Sequence, residues 1–441
     1  MFQGLRLTTI TRFRICRTLL STPPIPRLRH LDHRLYSDSV KTPSPPPLTK
    51  VTPIENLLLK SIQATGPISF ATYMQFCLSH PTEGYYMKES NVVFGSQGDF
   101  ITSPDISQVF GELIAIFFLS QWKNAGSPST IRMIELGPGR GTLMADMLRV
   151  ITQLTRTMKA QVQVQVHLVE NSSAMRAMQQ KRLGKQGNLE IQWHASIDSI
   201  PPSGDIYTML MAHEFFDALP FHVLKRTEEG WHEVLISSSS FAEPPLPEPQ
   251  SSVRYPCFYP VLTPAPTPIS TLLGTSSPRF QSIPVGSFLE VSPVAFKIAH
   301  KIGELLRKGG CGLIIDYGGD TFYDNSRRAF KDHKIVDFFH RPGECDLTAN
   351  VDFAYLKEAV EDSMPVYKPL TQSHFLQAMG LKERLLKLMK NHRTRDPEKA
   401  KRIEEAALRL VSVSPDGGEM GNQYSVMGIS SNDEQSYPFI E

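Results

Sequence analysis

The chain has 441 residues, of which 41% are hydrophobic and 20% are charged, and its formal net charge is +2. This composition is typical of a globular protein with enough apolar residues for a sizeable core, and the length favours two or three domains. The longest apolar run, 113–119, has seven residues, against the roughly 18 of a membrane span. No span is therefore predicted. The five cysteines form no Cys-x-x-Cys pair, which argues against a zinc site and favours a reducing compartment.

Positive charge is concentrated at the start of the chain. Residues 1–36 hold seven arginines and one acid, so they carry +6 and leave −4 for the rest (39 basic against 43 acidic residues). An arginine-rich, acid-poor segment of this kind is typical of a mitochondrial presequence, and Arg-Leu-Tyr-Ser at 34–37 resembles a site for cleavage after Tyr36. A basic arm that binds nucleic acid is the alternative, which the acidic remainder disfavours. We therefore expect a location in the mitochondrial matrix and no nucleic-acid partner.

The next part of the chain is predicted to be a linker followed by helices. Residues 37–53 are rich in Pro, Ser and Thr, and helices are predicted within residues 54–126. The expected helices, from apolar spacing and capping residues, are 54–63, 68–78 with Ser69 as N-cap, and 103–123 starting at Ser103-Pro104-Asp105.

Residues 131–143 (IRMIELGPGRGTL) predict a buried strand, a glycine loop and the first turn of a helix. Gly137, Gly139 and Gly141 permit positive φ and leave room for a ligand, and a helix start offers unpaired amides. The Gly-x-Gly-x-Gly spacing fits neither a dinucleotide fold nor a P-loop. Glu135, at the end of the strand, would repel pyrophosphate but attract an ammonium or sulfonium group, and S-adenosylmethionine carries both. A strand-turn-helix that binds nothing is the alternative.

Strands and helices alternate after this loop, which predicts an α/β fold with a largely parallel, doubly wound sheet. The expected further strands of the sheet are 162–169, 189–193, 205–211 and 311–315, with a short terminal pair at 366–370 and 423–429. Residues 231–236 and 285–291 are expected to be additional strands. Two insertions are predicted: 237–284 is irregular, with nine prolines between 241 and 270, and 373–412 is helical. Residues 320–349 are expected to form a loop.

Acidic residues follow several predicted strands, at the edge where open α/β sheets bind ligands. Glu170 ends the second strand and can bind both hydroxyls of a ribose; a surface acid is the alternative. Glu214 and Asp217 follow the fourth strand three residues apart, so they share a face if the segment is helical. Alternatively they cap a helix start. Asp316 follows the fifth strand. His213 is expected to be a packed histidine rather than a base.

Several motifs occur in an order that resembles the MidA-like family of S-adenosylmethionine-dependent methyltransferases, over roughly residues 54–430. They are Gly84-Tyr-Tyr, Gly98-Asp-Phe-Ile-Thr-Ser-Pro, Glu-Leu-Gly-Pro-Gly-Arg-Gly-Thr-Leu at 135–143, Val169-Glu170, His213-Glu-Phe-Phe-Asp-Ala-Leu-Pro and Asp316-Tyr-Gly. The resemblance implies a class I methyltransferase domain over 127–441, with a seven-stranded sheet, preceded by an N-terminal helical lid over 54–126. It implies that Gly137, Gly139 and Gly141 hold the methionine part of S-adenosyl-L-methionine, that Glu135 approaches its ammonium group, and that Glu170 binds its ribose. Residues 98–104 would close over the cofactor, or only cap a helix.

The same resemblance implies a reaction: symmetric dimethylation of an arginine on a matrix-facing, iron–sulfur-type subunit of complex I, during assembly of the NADH dehydrogenase. A guanidinium has a pKa above ~12, so fixed carboxylates would orient it and take a proton. Glu214 and Asp217 are the first candidates and Asp316 is the third. Two alternatives stay open. One is an inert complex I assembly chaperone with this fold, and the other is a nucleotide-dependent oxidoreductase, which the glycine spacing disfavours.

Overall fold

The computed structural model describes most of the chain beyond residue 50. The described residues are 51–88, 101–184, 189–202, 204, 206–239, 258–392, 396–414, 419–432 and 436–439. The predicted presequence 1–36, the linker up to residue 50 and residues 240–257 of the proline-rich insertion lie outside them. The part from Lys50 to Glu441 forms one compact unit, and a boundary between a lid ending at residue 126 and a domain from residue 127 stays a prediction.

Helices and strands alternate through most of the described residues. The helices are α1 (Pro53–Thr65), α2 (Phe70–Ser79), α3 (Ser103–Ile106), α4 (Gln108–Asn124), α5 (Thr142–Thr157), α6 (Ser173–Leu183), α7 (Pro268–Gly274), α8 (Pro293–Leu306), α9 (Phe353–Glu361), α10 (Gln372–Ala378), α11 (Leu381–His392), α12 (Pro397–Val411) and α13 (Met420–Gln423). The strands are β1 (Ile68–Ser69), β2 (Thr130–Leu136), β3 (Gln163–Val169), β4 (Glu190–His194), β5 (Tyr207–His213), β6 (His222–Thr227), β7 (Gly230–Ser238), β8 (Phe258–Leu262), β9 (Phe288–Val291), β10 (Gly310–Gly319), β11 (Arg328–Lys331), β12 (Lys334–Val336), β13 (Asp346–Thr348), β14 (Val351–Asp352), β15 (Leu370–Thr371) and β16 (Tyr424–Ser430).

The main sheet has the order β15-β16-β10-β5-β2-β3-β4, with the short β14 paired to β10. The strands from β4 to β10 along this path are parallel to one another, and β16 is antiparallel to both of its neighbours. Strands β2 and β5 are buried along almost their whole length because helices cover both faces of the sheet. The predicted doubly wound, largely parallel sheet is confirmed.

The strand order reverses beside β2. The chain runs from β2 outward to β3 and β4, then returns to place β5 against the other side of β2. The segments that follow β2 and β5 therefore leave the same edge of the sheet side by side, and this reversal is where open α/β folds bind ligands. Buried residues of α4 and α5 pack on one face of the sheet, and those of α8 and α9 pack on the other.

A second, antiparallel sheet has the order β1-β7-β6-β9, with β8 paired to β7. Strand β7 was expected, but β6 was missed. Strand β9 belongs to this second sheet, beside β6. Helices α1 and α2 pack against this sheet through buried side chains such as Phe70 and Tyr73. Part of the insertion predicted to be irregular is ordered, since β8 and α7 lie within it.

Two local predictions were wrong. The helix expected over 103–123 is divided into α3 and α4, because Ser107 is extended, with φ −153°, and its side chain accepts from the Val109 amide. The N-cap of the longer helix is therefore Ser107 and not Ser103. Residues 320–349, expected to be a loop, contain a three-stranded sheet with the order β12-β11-β13.

Residues 373–412, predicted to be a helical insertion, contain most of α10 and the whole of α11 and α12. Its last helix begins where expected, because Asp396 is the N-cap and accepts a hydrogen bond from the Lys399 amide. Among the described residues, no helix has the length and apolar character that crossing a membrane requires.

Candidate functional site

A cavity of about 480 Å³ opens at the edge of the main sheet where the strand order reverses. That volume lies in the range of small-molecule sites. Most of the sequence-predicted site residues line it, namely Glu135, Gly137, Gly139, Glu170, Glu214 and Asp217. Gly141 and Asp316, two others that the sequence singled out, lie outside the lining. The structure therefore brings both predicted groups, the glycine loop and the acids after β5, to one cavity.

The glycine loop adopts a backbone that favours glycine at each predicted position. The φ angles of Gly137, Gly139 and Gly141 are +60°, +50° and +74°, in the left-handed region that side chains disfavour. A Cβ at Gly137 would lie 2.9 Å from Cδ2 of Phe215. The conformation of the loop therefore requires glycine at these positions. A side chain at Gly137 would also clash with Phe215, in the segment that carries the acids after β5.

Glu135 is a buried carboxylate that lacks a full set of partners. Its side chain is 3% exposed, and the Met144 amide is a hydrogen-bond donor to it. Its Oε2 atom has no partner among the described residues. Burial raises the pKa of Glu135 to about 8. Because an unpaired buried polar atom is costly, this atom fits a bound cation, and the ammonium group of S-adenosyl-L-methionine meets that requirement.

Glu170 is tied to the glycine loop through a residue that the sequence analysis missed. The side-chain amide of Gln179 donates to Oε2 of Glu170 at 3.1 Å and to the carbonyl of Gly139 at 2.7 Å. The indole of Trp193 donates to Oε1 of Gln179 at 2.9 Å. The Ser172 amide donates to the other oxygen of Glu170 at 2.9 Å. No local pattern could reveal Gln179, because its role comes from the packing of α6 on the loop.

The chain just before α4 also reaches the cavity. Thr102, Pro104 and Asp105 line it, whereas residues 98–100 of the same motif lie outside the described part. Asp105 accepts a hydrogen bond from the Thr142 hydroxyl at 3.0 Å and pairs with the Arg140 guanidinium at 2.8 Å. These contacts connect the segment to the glycine loop and to the first turn of α5.

Glu214 occupies a strained position directly after β5. Its φ is +49°, which is uncommon for a residue with a side chain. The Tyr424 hydroxyl donates to Oε1 of Glu214 at 2.9 Å, and Nε2 of His213 lies 3.5 Å from the same atom. Burial, with the charge of Asp217 next, raises the pKa of Glu214 to about 8. His213 packs against Phe110, with ring centroids 5.0 Å apart, and burial lowers its pKa to about 3, so it stays neutral.

Asp316 is fully buried behind the cavity wall. Its Oδ2 atom accepts from three successive amides, those of Phe215, Phe216 and Asp217, at 3.1, 2.8 and 3.3 Å. Its Oδ1 atom accepts from the Tyr317 amide at 2.9 Å. Burial and the charge of Glu214 raise its pKa to about 7. The prediction that Asp316 itself meets the acceptor therefore does not fit its place, and we describe it as a positioning residue.

Asp217 lines the cavity together with another acidic residue, Asp346, which the sequence analysis missed. Burial is the main cause that raises the pKa of Asp217 well above its usual value, and the charges of Asp316 and Asp346 raise it further, while Arg328 opposes them. Asp346 lies on β13 and also lines the cavity. The Tyr86 hydroxyl donates to its Oδ1 atom at 2.5 Å. Asp346 was missed because its strand lies in the segment expected to be a loop.

Comparison with known proteins agrees with this geometry. Residues 113–370 match the model of the family described as "Putative S-adenosyl-L-methionine-dependent methyltransferase". The chain is similar to the protein "Protein arginine methyltransferase NDUFAF7, mitochondrial" of Danio rerio, with 38% identity over 76% of this chain and 78% of the relative. The Homo sapiens protein of the same name is 35% identical over 77% and 76%.

A solved structure shares the fold. It is a Burkholderia thailandensis protein bound to S-adenosyl-homocysteine, with a TM-score of 0.67 and 23% identity, covering 86% of this chain and 91% of that one. At that identity the likeness concerns the fold alone. The predicted class I architecture is confirmed.

Proposed function

Because the chain belongs to the S-adenosyl-L-methionine-dependent methyltransferase family, we propose that it is a mitochondrial matrix enzyme that symmetrically dimethylates arginine. The acceptor is a matrix-facing, iron–sulfur-type subunit of complex I, modified during assembly of the NADH dehydrogenase. The chain is a methyltransferase whose methyl donor is S-adenosyl-L-methionine. The names of the relatives, which are mitochondrial protein arginine methyltransferases, support arginine as the acceptor residue and a mitochondrial location.

The observation that carries this proposal is the convergence of Glu214 and Asp217 on the cavity that also contains the glycine loop. Two cations have to meet for this reaction, a sulfonium and a guanidinium. The charge of Asp217 raises the pKa of Glu214, and the charges of Asp316 and Asp346 raise that of Asp217. Buried carboxylates of this kind are poorly stabilised until a cation joins them. The cavity therefore offers negative charge where a positively charged acceptor must be held.

We assign the cofactor contacts to the residues around β2 and β3. Gly137 and Gly139 leave room for the methionine part, and Gly141, just before α5, permits the turn that starts this helix. Glu135 would pair with the ammonium group, since its Oε2 atom has no partner in the described part of the chain. Glu170, fixed by Gln179, would accept hydrogen bonds from the ribose hydroxyls.

The bound donor supplies a methyl group on a positively charged sulfur. As the bond from a guanidinium nitrogen to this carbon forms, the carbon–sulfur bond breaks and its electron pair stays on sulfur, so one proton must leave the nitrogen. Glu214 is suited to take it, because it lines the cavity and burial raises its pKa in the unloaded chain to about 8, so that it holds a proton more readily than an exposed carboxylate does. Asp217 would orient the guanidinium, and the enclosed cavity would exclude water, so alignment supplies much of the acceleration.

The test uses the full chain, S-adenosyl-L-methionine with a tritiated methyl group, and recombinant iron–sulfur subunits of the matrix arm. Symmetric dimethylarginine, identified by mass spectrometry, is the expected product. Glu214→Gln should lower kcat about 100-fold, because a positioned base contributes on the order of 100- to 10,000-fold, and should leave the Kd for S-adenosyl-homocysteine unchanged. The exposed Glu228→Gln is the matched control.

Two results would contradict the proposal in different ways. Undiminished transfer by Glu214→Gln would remove the assigned role of Glu214. Complex I assembly restored in deficient cells by Glu214→Gln, without any methylarginine, would favour the assembly chaperone instead of the enzyme.

A further inference from the structure

We propose that Asp346 and Thr348, on β13, bind the guanidinium of the acceptor together with Glu214 and Asp217, and that Tyr86 positions Asp346. This inference rests on the proposed arginine acceptor and adds the residues that select it. Asp346 and Thr348 lie outside every motif named in the sequence analysis, whereas Tyr86 belongs to the Gly84-Tyr-Tyr motif, to which no role was given there. The sheet that contains β13 lies between β10 and α9 along the chain.

The alternation of β13 directs two polar side chains to the cavity. Asp346 and Thr348 both line it, whereas Leu347 between them is buried in the hydrophobic cluster beneath, as expected of a strand with alternating faces. Strand β11 is paired alongside, with Phe330 opposite Asp346, and Phe330 lines the cavity too. The small sheet therefore forms a wall of the site.

The negative charge of Asp346 on this wall is suited to binding a cation. Asp346 is only 4% exposed, and its charge raises the pKa of both Asp217 and Glu214, so the carboxylates are close enough to repel. One cation of the chain, Arg328, partly offsets this charge and lowers the pKa of Asp217. Its guanidinium lies over the Tyr317 ring at 5.1 Å and donates to the Asn350 side chain at 2.9 Å.

Thr348 supplies an independent sign of a ligand. Its side chain is 3% exposed, and its Oγ1 atom has no hydrogen-bond partner within the described ranges. Leaving a buried hydroxyl unpaired is costly, and Thr348 lines the same cavity as Asp346. A bound group with a spare N–H donor would pair it.

A guanidinium has enough N–H donors for the four proposed acceptor groups, whereas an ammonium group has only three N–H donors. Arginine presents five N–H donors in one plane, whereas lysine presents three on a single atom. Acceptors on two separate walls, one after β5 and one on β13, fit the flat group with donors on several edges. The hydrogen bond from Tyr86, at 2.5 Å, fixes one oxygen of Asp346, so its carboxylate is oriented before the acceptor arrives.

The decisive comparison is between Thr348→Val and Thr348→Ser in the full chain. Valine keeps the shape but removes the hydroxyl, and serine keeps the hydroxyl. With the iron–sulfur subunits of the matrix arm as acceptor, Thr348→Val and Asp346→Asn should raise KM on the order of 10- to 100-fold, the range for a lost hydrogen bond to a charged group. Thr348→Ser should stay within about threefold of the unsubstituted protein, and Asp346→Glu should recover part of the loss.

Positioning by Tyr86 has its own readout. Tyr86→Phe should raise the acceptor KM less than Asp346→Asn does, with kcat and the Kd for S-adenosyl-homocysteine unchanged. The exposed Asp320→Asn, from the same segment of chain, is the control. Unchanged acceptor KM in both Thr348→Val and Asp346→Asn would overturn this inference while leaving arginine methylation intact. Absence of methylarginine with the unsubstituted protein, although S-adenosyl-homocysteine binds, would overturn the proposed function and this inference together.

Discussion

The charge of Glu135 is expected to control the affinity for the cofactor. In the unloaded chain burial raises the pKa of this carboxyl to about 8, so it is mostly protonated at neutral pH. Pairing with an ammonium group requires the ionised form, and binding must therefore release a proton. The protonated fraction weakens the apparent Kd roughly 100-fold at pH 6 and about 4-fold at pH 7.5, so affinity should improve roughly 25-fold between these values.

Glu135→Gln removes this dependence because the amide does not titrate in the range. At pH 7.5 the variant should bind on the order of 10- to 100-fold more weakly, since a charge-assisted hydrogen bond contributes about 1.5–3 kcal/mol. At pH 6 the unsubstituted protein has already lost most of its advantage, so the two affinities should approach each other. The convergence is the quantity to measure, because a merely misfolded variant would stay weak at both pH values.

Isothermal titration with S-adenosyl-homocysteine, in buffers of different ionisation heat, measures both the Kd and the protons released. We expect the unsubstituted chain to release nearly one proton per bound ligand at pH 6, and we expect Glu135→Gln to release one proton fewer. A Kd that does not change with pH in the unsubstituted protein, or an equal slope in both proteins, would refute the assigned role of Glu135.

Stability provides the control for the same variant. The folded-state pKa of Glu135 is raised from 4.5 to about 8, so the folded chain holds this proton more tightly than the unfolded chain does. The contribution of this group to the free energy of unfolding therefore falls as pH rises from about 4.5 to 8. Glu135→Gln should remove that decline without lowering stability at neutral pH, as urea unfolding would show.

Three further predictions concern the scaffold of the site. Gly137→Ala should cost about 1–2 kcal/mol of backbone strain and weaken S-adenosyl-homocysteine binding at least tenfold by calorimetry, because its Cβ would press on Phe215. Gly126→Ala, at φ +83° in open space, should show the strain without the binding loss. Gln179→Ala removes the donor shared by the loop and Glu170, and should raise the same Kd about tenfold with little change in acceptor KM. Ser107→Ala should lower the free energy of unfolding by about 1 kcal/mol in urea, and an unchanged value would mean that this cap is not needed.

Most strands of the main sheet were predictable because they carry a local sign, an apolar run that ends in a turn or an acid, whereas the two-residue strand β14 was missed. The second sheet was not, because its pairings join distant parts of the chain, such as Ile68 with Ile236. Strands of three or four residues, like those of the β11–β13 sheet, are too short to show a period of two. Expecting a loop there removed Asp346 and Thr348 from consideration as site residues.

Asp316 shows a second reason why the site could not be predicted fully from the sequence. Its position after an apolar run suggested a free carboxylate at the end of a strand. Strand β10 instead continues to Gly319, and Asp316 lies opposite Ser425 within the antiparallel pair with β16. Its other neighbour is β5, with Ile315 opposite His213, so the carboxylate accepts from the backbone amides of the turn after β5. The type of residue was informative, because an acid was needed at that point, but the register of β10 against β5 decides which groups it meets.

The turn after β5 explains why an acidic residue is needed at position 316. Glu214 is held at positive φ, a conformation that costs on the order of 1–3 kcal/mol and persists only where the surroundings enforce it. Its amide donates to the carbonyl of Ile315 at 3.0 Å. The next three amides donate hydrogen bonds to the carboxylate of Asp316. The Tyr424 hydroxyl then holds the Glu214 carboxylate. Since β10 and β16 supply these contacts together, the last strand of the fold fixes the orientation of the proposed base, Glu214, and we propose that Asp316 affects the reaction through that geometry.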